Sequence, residues 1–319
     1  RSLKWMVSRC CASCGRYLPK NSYSNNQWRK PVGVSRCYAC VENGGGGGGG
    51  GHNNLADQTA RRNDATRATF THHALAHPFA QGGFRWVAKG VYTEGHRAGE
   101  ACVCKWFKTG HVVEASFFDL DIRAMNKAHD LVREWNGRRF LDKIIKVNIP
   151  EVWTGCNVFG SIIAGKKLLQ EPFIENYKKF NSNTGWADNT TPWPRVMQAL
   201  SHFSYHVSGG QYVLCDLQGG VYSDCVVLTD PVILSRDRCY GVTDLGPEGI
   251  SSFFSNHRCN EFCNSSWRRP ADQRRYFNPQ AGTSMIRGGT GGGGRTNQHQ
   301  YVPTLHGGGG GYSSSDDSW

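Results

Sequence analysis

Apolar residues gather between about Phe70 and Trp267, and their spacing predicts a mixture of strands and helices. Residues 84–92 and 101–107 are rich in β-branched and aromatic side chains and read as two strands, with a hairpin turn through Glu94 to Gly99. Phe118, Ile122, Met125, His129 and Val132 recur at intervals of three and four, which predicts an amphipathic helix over 115–135 that Gly137 ends. Further strands are expected at 144–149, 161–173, 211–217 and 226–229, and helices near 194–206 and 247–257. A strand-rich first half followed by a mixed second half is an α+β pattern; a doubly wound sheet, which needs alternating strands and helices, is not expected.

Glycine runs at 44–51, 288–294 and 307–311 cannot bury surface and mark flexible boundaries. They divide the chain into a cysteine-containing module (1–43), a linker extended by polar residues (44–69), a dense domain (70–269) and a tail rich in Gly, Ser and Arg that reads as disordered (270–319). The chain opens on Arg1 rather than methionine, so an upstream part is expected.

With 319 residues, 38% of them hydrophobic, the chain has enough apolar surface for an ordinary core, and no stretch approaches the ~20 apolar residues of a membrane span. The net charge of +12 is uneven: residues 1–43 carry eight Lys or Arg against the single Glu42. That module is either a solvated basic face or an attachment point for nucleic acid or an acidic protein. The cysteines number thirteen and cluster at metal-ligand spacings rather than as a disulfide ladder, so an intracellular setting is expected, cytoplasmic or nuclear. Cys102, Cys104, Cys156, Cys215 and Cys225 sit in apolar or strand-like runs and read as small buried hydrophobes.

Two clusters carry zinc chemistry. Cys11-x-x-Cys14 and Cys37-x-x-Cys40 offer four thiolates, a closed structural shell, with Cys10 as a surplus neighbour of Cys11. Tyr17, Tyr23, Trp28, Arg29, Lys30 and Arg36 between them suit either stacking on bases or the miniature core of a finger. The second cluster, His257, Cys259 and Cys263, lacks a local fourth ligand; His202 and His206, one helical turn apart, both qualify.

Phosphoryl transfer needs a cation near the phosphates, oxygen ligands for Mg²⁺ and a carboxylate beside the attacking hydroxyl. Lys105 is the only charge in 101–107. Asp216 and Asp230 each follow an apolar run, and Gln218, two residues after Asp216, shares its face in an extended segment and offers a neutral oxygen. A pair of solvated turn aspartates is the competing reading. No G-x-x-x-x-G-K-[ST] loop, H-R-D or D-F-G occurs, which disfavours a P-loop enzyme or an ordinary protein kinase.

The strings Pro78-Phe79-Ala80-Gln81-Gly82-Gly83-Phe84-Arg85, Phe180-Asn181-Ser182-Asn183-Thr184-Gly185-Trp186, Ala199-Leu200-Ser201-His202-Phe203-Ser204-Tyr205, Asp216-Leu217-Gln218-Gly219, Leu228-Thr229-Asp230-Pro231 and the His257 cluster resemble, in order, the α-kinase domain, over about Phe70 to Trp267. The resemblance implies a two-lobed atypical protein-kinase fold and transfer from ATP to Ser or Thr of a protein. It implies that Lys105 and Arg85 lie near the phosphates, that Glu171 and Phe173 form the hinge beside adenine, and that Asp216 is the catalytic aspartate with Gln218 and Asp230 as Mg²⁺ ligands. His202 then joins His257, Cys259 and Cys263 as the fourth zinc ligand, and 241–249 resembles a glycine-containing loop near the peptide substrate. The metal loop from Asp216 to Asp230 is a few residues longer than in several members. The N-terminal module bears a looser likeness to small LIM-like, Stc-type zinc modules. Two readings of function result: a Mg-ATP-dependent Ser/Thr protein kinase with two structural zinc ions, or a zinc-finger adapter on an inactive kinase-like scaffold.

Overall fold

The computed structural model describes residues 8–10, 17–30, 35–38, 41, 58–156, 161–188 and 190–282. In the N-terminal piece, β1 (Ser8–Cys10) pairs antiparallel with β2 (Tyr17–Pro19). Helix α1 (Asn25–Arg29) starts where the Ser24 hydroxyl accepts a bond from the Gln27 backbone, satisfying one of the first-turn donors. Tyr23 is buried edge-to-face against Trp28, so it serves the miniature core rather than a stacking platform. Cys37 is buried; Cys11, Cys14 and Cys40 lie outside the described residues.

The larger body is two-lobed and α+β. Strands β3 (Ala60–Arg62) and β4 (Ala65–Thr69) follow each other closely but join different sheets. The first sheet runs β4, β6 (Arg85–Gly95), β7 (Ala101–Phe107), β10 (Lys167–Pro172) and β9 (Glu151–Thr154), all antiparallel, with β5 (Ala80–Gln81) on β6; helix α2 (His72–Ala76) lies between β4 and β5 in the chain. The second runs β11 (Lys178–Lys179), β13 (Gln218–Val221), β14 (Cys225–Thr229), β8 (Ile144–Ile149) and β3, with β8 parallel to both neighbours. A two-stranded ladder, β12 (Tyr212–Cys215) with β15 (Val232–Ser235), completes it. Every residue of β14 is buried, as a central strand covered on both faces requires.

The expected hairpin and long helix form close to where the pattern puts them. The β6–β7 turn uses Gly95 and Gly99 at positive φ, where a side chain would be strained. Helix α3 (Asp119–Gly137) carries Asp119 and Asp121 in its first turn, where they favour the helix dipole, and buries Met125, Ala128, Val132 and Trp135. Its end is pinned to β8: the Asn136 amide donates to the Ile145 carbonyl (2.7 Å) and its oxygen accepts from the Ile145 N–H (3.0 Å). Helix α4 (Pro192–Val207) opens on prolines that need no donor there and is buried almost all round. Helix α5 (Gly246–Asn256) packs on β15.

The ordered body is longer at both ends than the sequence pattern suggests. Residues expected to extend the linker to 69 form β3 and β4, and Thr59 bonds His129 of α3 at 2.8 Å. Residues 270–282, expected to be disordered, pack on α5, whose Ser252 hydroxyl accepts from the backbones of Tyr276 and Phe277. Cys102, Cys104, Cys215 and Cys225 are buried, but Cys156 is exposed: it lies past the end of β9.

Replacing Asn136 with Ala removes both bonds to Ile145 and leaves two buried backbone groups unpaired. Urea unfolding should show a loss of about 1–3 kcal/mol; an unchanged midpoint would mean that the helix end is held by packing alone.

Candidate active site

Lys105 is the fifth residue of β7, in register with Leu169 of β10, and its ammonium is buried between two carboxylates. It pairs with Glu171 of β10 and with Asp230, which follows β14, so the contact crosses from the first sheet to the second. Glu171 also accepts from the Thr229 hydroxyl (2.8 Å) and the Asn148 amide (3.2 Å). Burial alone pulls the lysine pKa down, but Asp230 and then Glu171 more than offset that, and the net direction is up. The ammonium is therefore held charged.

Asp216 and Asp230 end strands and both adopt the left-handed region, with φ of 56° and 47°. Such conformations in non-glycine residues cost energy and persist where surrounding structure imposes them, often at functional sites. Asp216 is buried, and Lys179 of β11 meets it at 2.9 Å. Gln218 joins the two aspartates: its amide lies 3.3 Å from the Asp216 carboxylate and 3.3 Å from the Asp230 backbone carbonyl. With that amide engaged, its oxygen and the half-exposed Asp230 carboxylate form a hard donor set suited to Mg²⁺. Gly219 is needed behind them, since a Cβ there would lie 1.9 Å from the Val227 carbonyl oxygen.

The loops around Asp216 are fastened by buried polar groups. The Asn181 amide donates to Ser201 (3.0 Å), and its oxygen accepts the Leu217 N–H (2.8 Å). Asn183 reaches the Thr243 carbonyl at 3.0 Å, tying this region to the 236–245 loop. Inside that loop Asp244 is fully buried; burial raises its pKa, and bonds from Ser235, Gly246 and Tyr240 oppose the rise.

Arg85 and Phe173 stand apart from the carboxylate cluster. Arg85 pairs with Asp121 at 2.7 Å and lies over Phe107 and Phe118. Phe173 has its N–H bonded to Ala101 and its carbonyl to Arg61, while its ring faces Lys89 and Phe79. Its backbone groups are thus committed within the protein, and the Glu171 side chain is committed to Lys105.

His202 of α4 meets His257, Cys259 and Cys263, with all four candidate ligand atoms within 4.8 Å of one another. His202 donates through Nε2 to the Arg268 carbonyl (3.1 Å), leaving Nδ1 toward Cys259. Desolvation pushes His202 down to about 4 and His257 to about 3, which keeps both imidazoles neutral, the ligand form. Burial pushes Cys263 up to about 11. A buried, partnerless His257 Nδ1 and two thiols packed together are costly alone and suit a soft N/S-preferring cation. His206, the rival fourth ligand, instead stacks on Trp267.

A sequence profile of the Alpha-kinase family matches residues 80–263, more than half of the chain and every residue of both clusters. The chain belongs to the alpha-kinase family. Alpha-protein kinase 1 of Dictyostelium discoideum is 47% identical over 98 residues, 29% of this chain and 7% of the relative. Human eukaryotic elongation factor 2 kinase is 39% identical over 113 residues, 34% of this chain and 15% of the relative. The matched stretch is thus a small part of these longer proteins. The alpha-kinase domain of myosin heavy chain kinase A, solved with AMP, shares the fold with a TM-score of 0.52 at 23% identity, over 61% of this chain and 88% of that one. An alpha kinase of Entamoeba histolytica gives 0.52 at 21%, over 65% and 82%.

Within this alpha-kinase domain, Lys179 is a site residue that sequence reasoning passed over. Its signal was weak: a Lys-Lys pair ahead of Phe180-Asn181 reads as a solvated face until β11 pairs with β13 and carries Lys179 to Asp216. Asn148 and Thr229 were missed likewise, because only the sheet register brings them to Glu171. For the hairpin that presents Gln218, Gly219→Ala should lower stability by about 1–3 kcal/mol, measured by urea unfolding; a wild-type midpoint would show that the hairpin tolerates the side chain.

Proposed function

We propose that this alpha-kinase domain is an active Mg-ATP-dependent protein serine/threonine kinase. The observation that carries the reading is the single chain of contacts from Lys105 through Asp230 and Gln218 to Asp216, which gathers a phosphate-binding cation, oxygen ligands and a buried carboxylate. Relatives named for elongation factor 2 and for myosin heavy chain support a protein as acceptor.

In this reading Lys105 binds and orients the ATP phosphates. Asp216 accepts the proton of the Ser or Thr hydroxyl as its oxygen bonds the γ-phosphorus, and the bond from that phosphorus to the bridging oxygen breaks to release ADP. Lys179 orients Asp216 through their ion pair. Gln218 and Asp230 would hold Mg²⁺, which when bound neutralises the charge on the phosphates. Arg85 is assigned to the approach to the phosphates and the Glu171–Phe173 segment to the adenine end of the cleft. Radiolabelled ATP should phosphorylate the protein itself or a basic substrate. Lys105→Met or Asp216→Ala should each cut labelling at least about a hundredfold; wild-type labelling by both would refute the mechanism. Deleting residues 1–43 should leave labelling of a generic peptide intact, whereas an adapter on an inactive scaffold has no catalysis to retain.

The His202, His257, Cys259 and Cys263 cluster is assigned to a structural zinc, supported by its closed donor set and neutral imidazoles. Cys11, Cys14, Cys37 and Cys40 are assigned to a second, on spacing alone. Metal analysis should find two zinc ions per chain, falling to one with loss of folding when Cys259 and Cys263 become Ser. One zinc in the intact chain would remove one assignment. Among the described residues no helix is long and apolar enough to cross a membrane.

A further inference from the structure

Beside the His/Cys cluster, but sharing no residue with the carboxylate site, lies a cleft of about 510 Å³ between the end of α3, the last turn of α4 and the segment after Cys263. Its floor is aromatic. The rings of Phe140, Phe203 and Trp267 meet edge-to-face, with centroids 5.5–5.8 Å apart. Phe203 and Trp267 are buried, whereas Phe140 remains 41% exposed, an unusual position for a phenylalanine in the middle of such a cluster.

The polar rim has one sign. His206, stacked on Trp267, accepts the Arg268 N–H at Nδ1, so its neutral ring carries the proton on Nε2. Asn264 has its oxygen taken by the N–H and hydroxyl of Ser266, leaving its NH₂ group. The Arg138 guanidinium forms no ion pair among the described residues. The groups left for a ligand are mostly donors, guanidinium, imidazole N–H and carboxamide NH₂, and the charge among them is the positive one of Arg138. Ser266 has spent its proton on Asn264, so its oxygen is left as an acceptor.

We propose that this cleft docks an acidic, aromatic-containing peptide segment of a partner protein, with an aromatic side chain on the Phe140–Trp267 floor and a neighbouring Asp or Glu carboxylate on the Arg138 side. A carboxylate accepts only, and it matches a rim on which donors outnumber acceptors; beside Arg138 it forms a charge-assisted bond. A nucleobase fits less well, because its ring offers Arg138 only neutral acceptors and forgoes the ion pair. A small inorganic anion would leave the aromatic floor in water. The volume suits one large side chain with its flanking residues, and aromatic anchors in such pockets dominate peptide affinity. The segment Asn264 to Trp267 follows Cys263 directly, so the docking surface is built on the backbone that the His/Cys cluster organises.

The inference is independent of catalysis, and its test reads binding. The full chain is titrated into a fluorescein-labelled hexapeptide in which one tryptophan is flanked by aspartates, and anisotropy is followed. Saturable binding is expected, and Arg138→Glu and Phe140→Ala should each weaken it about tenfold with an unchanged urea midpoint. A companion peptide with asparagine for aspartate, or alanine for tryptophan, should bind correspondingly worse. Absence of saturable binding, equal affinity of the asparagine peptide, unchanged affinity in both variants, or displacement by polyuridine or inorganic phosphate but not by unlabelled acidic peptide would each overturn the proposal.

Discussion

A lysine ammonium buried between two carboxylates ties the two sheets of this fold together. Taking an ion out of water costs several kcal/mol even after relaxation, and a buried Lys105 without partners would shed its proton or unfold its strand. Glu171 beside it on the first sheet and Asp230 at the end of β14 in the second hold it charged, and Thr229 and Asn148 satisfy the remaining lone pairs of Glu171. The relative position of the two sheets is thereby set at one buried cluster of charges.

From that contact the rest of the site follows by short links. Asp230 leads through Gln218 to Asp216, and both aspartates are held in left-handed backbone by strands that leave them no alternative. Asn181 fixes the segment after Asp216, while Asp244 gathers the 236–245 loop by accepting bonds from three different residues. The His/Cys cluster does for the far end of α4 and α5 what those side chains do for the loops. It adds ligand-like polar atoms to the apolar packing of Tyr205 against Phe254 and carries the aromatic cleft on the same backbone.

Sequence pattern sufficed where burial repeats. Strand β7 and β8 and the body of α3 emerge from β-branched runs and three-and-four spacing; Lys105 stood out as the only charge in 101–107, and the family strings contain Asp216 and Asp230. It failed where pairing, rather than hydrophobicity, makes the element. Strand β3, Ala60-Arg61-Arg62, carries no apolar alternation, yet it is in register with β8, with Arg61 bonded to Asn148 and Phe173. Residues 270–282 read as disordered from their arginines, but their backbones bond to Ser252 and Thr184. The lysine at 179 and the commitment of Phe173's backbone are tertiary facts with no local signature. His202 was distinguishable from His206 only by likeness to a family, since both lie on the same helix face one turn apart.

The most direct measurement is a double-mutant cycle on the Lys105–Asp230 pair. Lys105→Met, Asp230→Asn and the combination are unfolded in urea at pH 7, since Asp230 is the partner on the second sheet. If the ammonium is what joins the sheets, the two changes couple by at least about 1 kcal/mol, and the double variant is more stable than the worse single one. Effects that add to within about 0.5 kcal/mol would show that Lys105 and Asp230 are held independently, and that another contact sets the lobes.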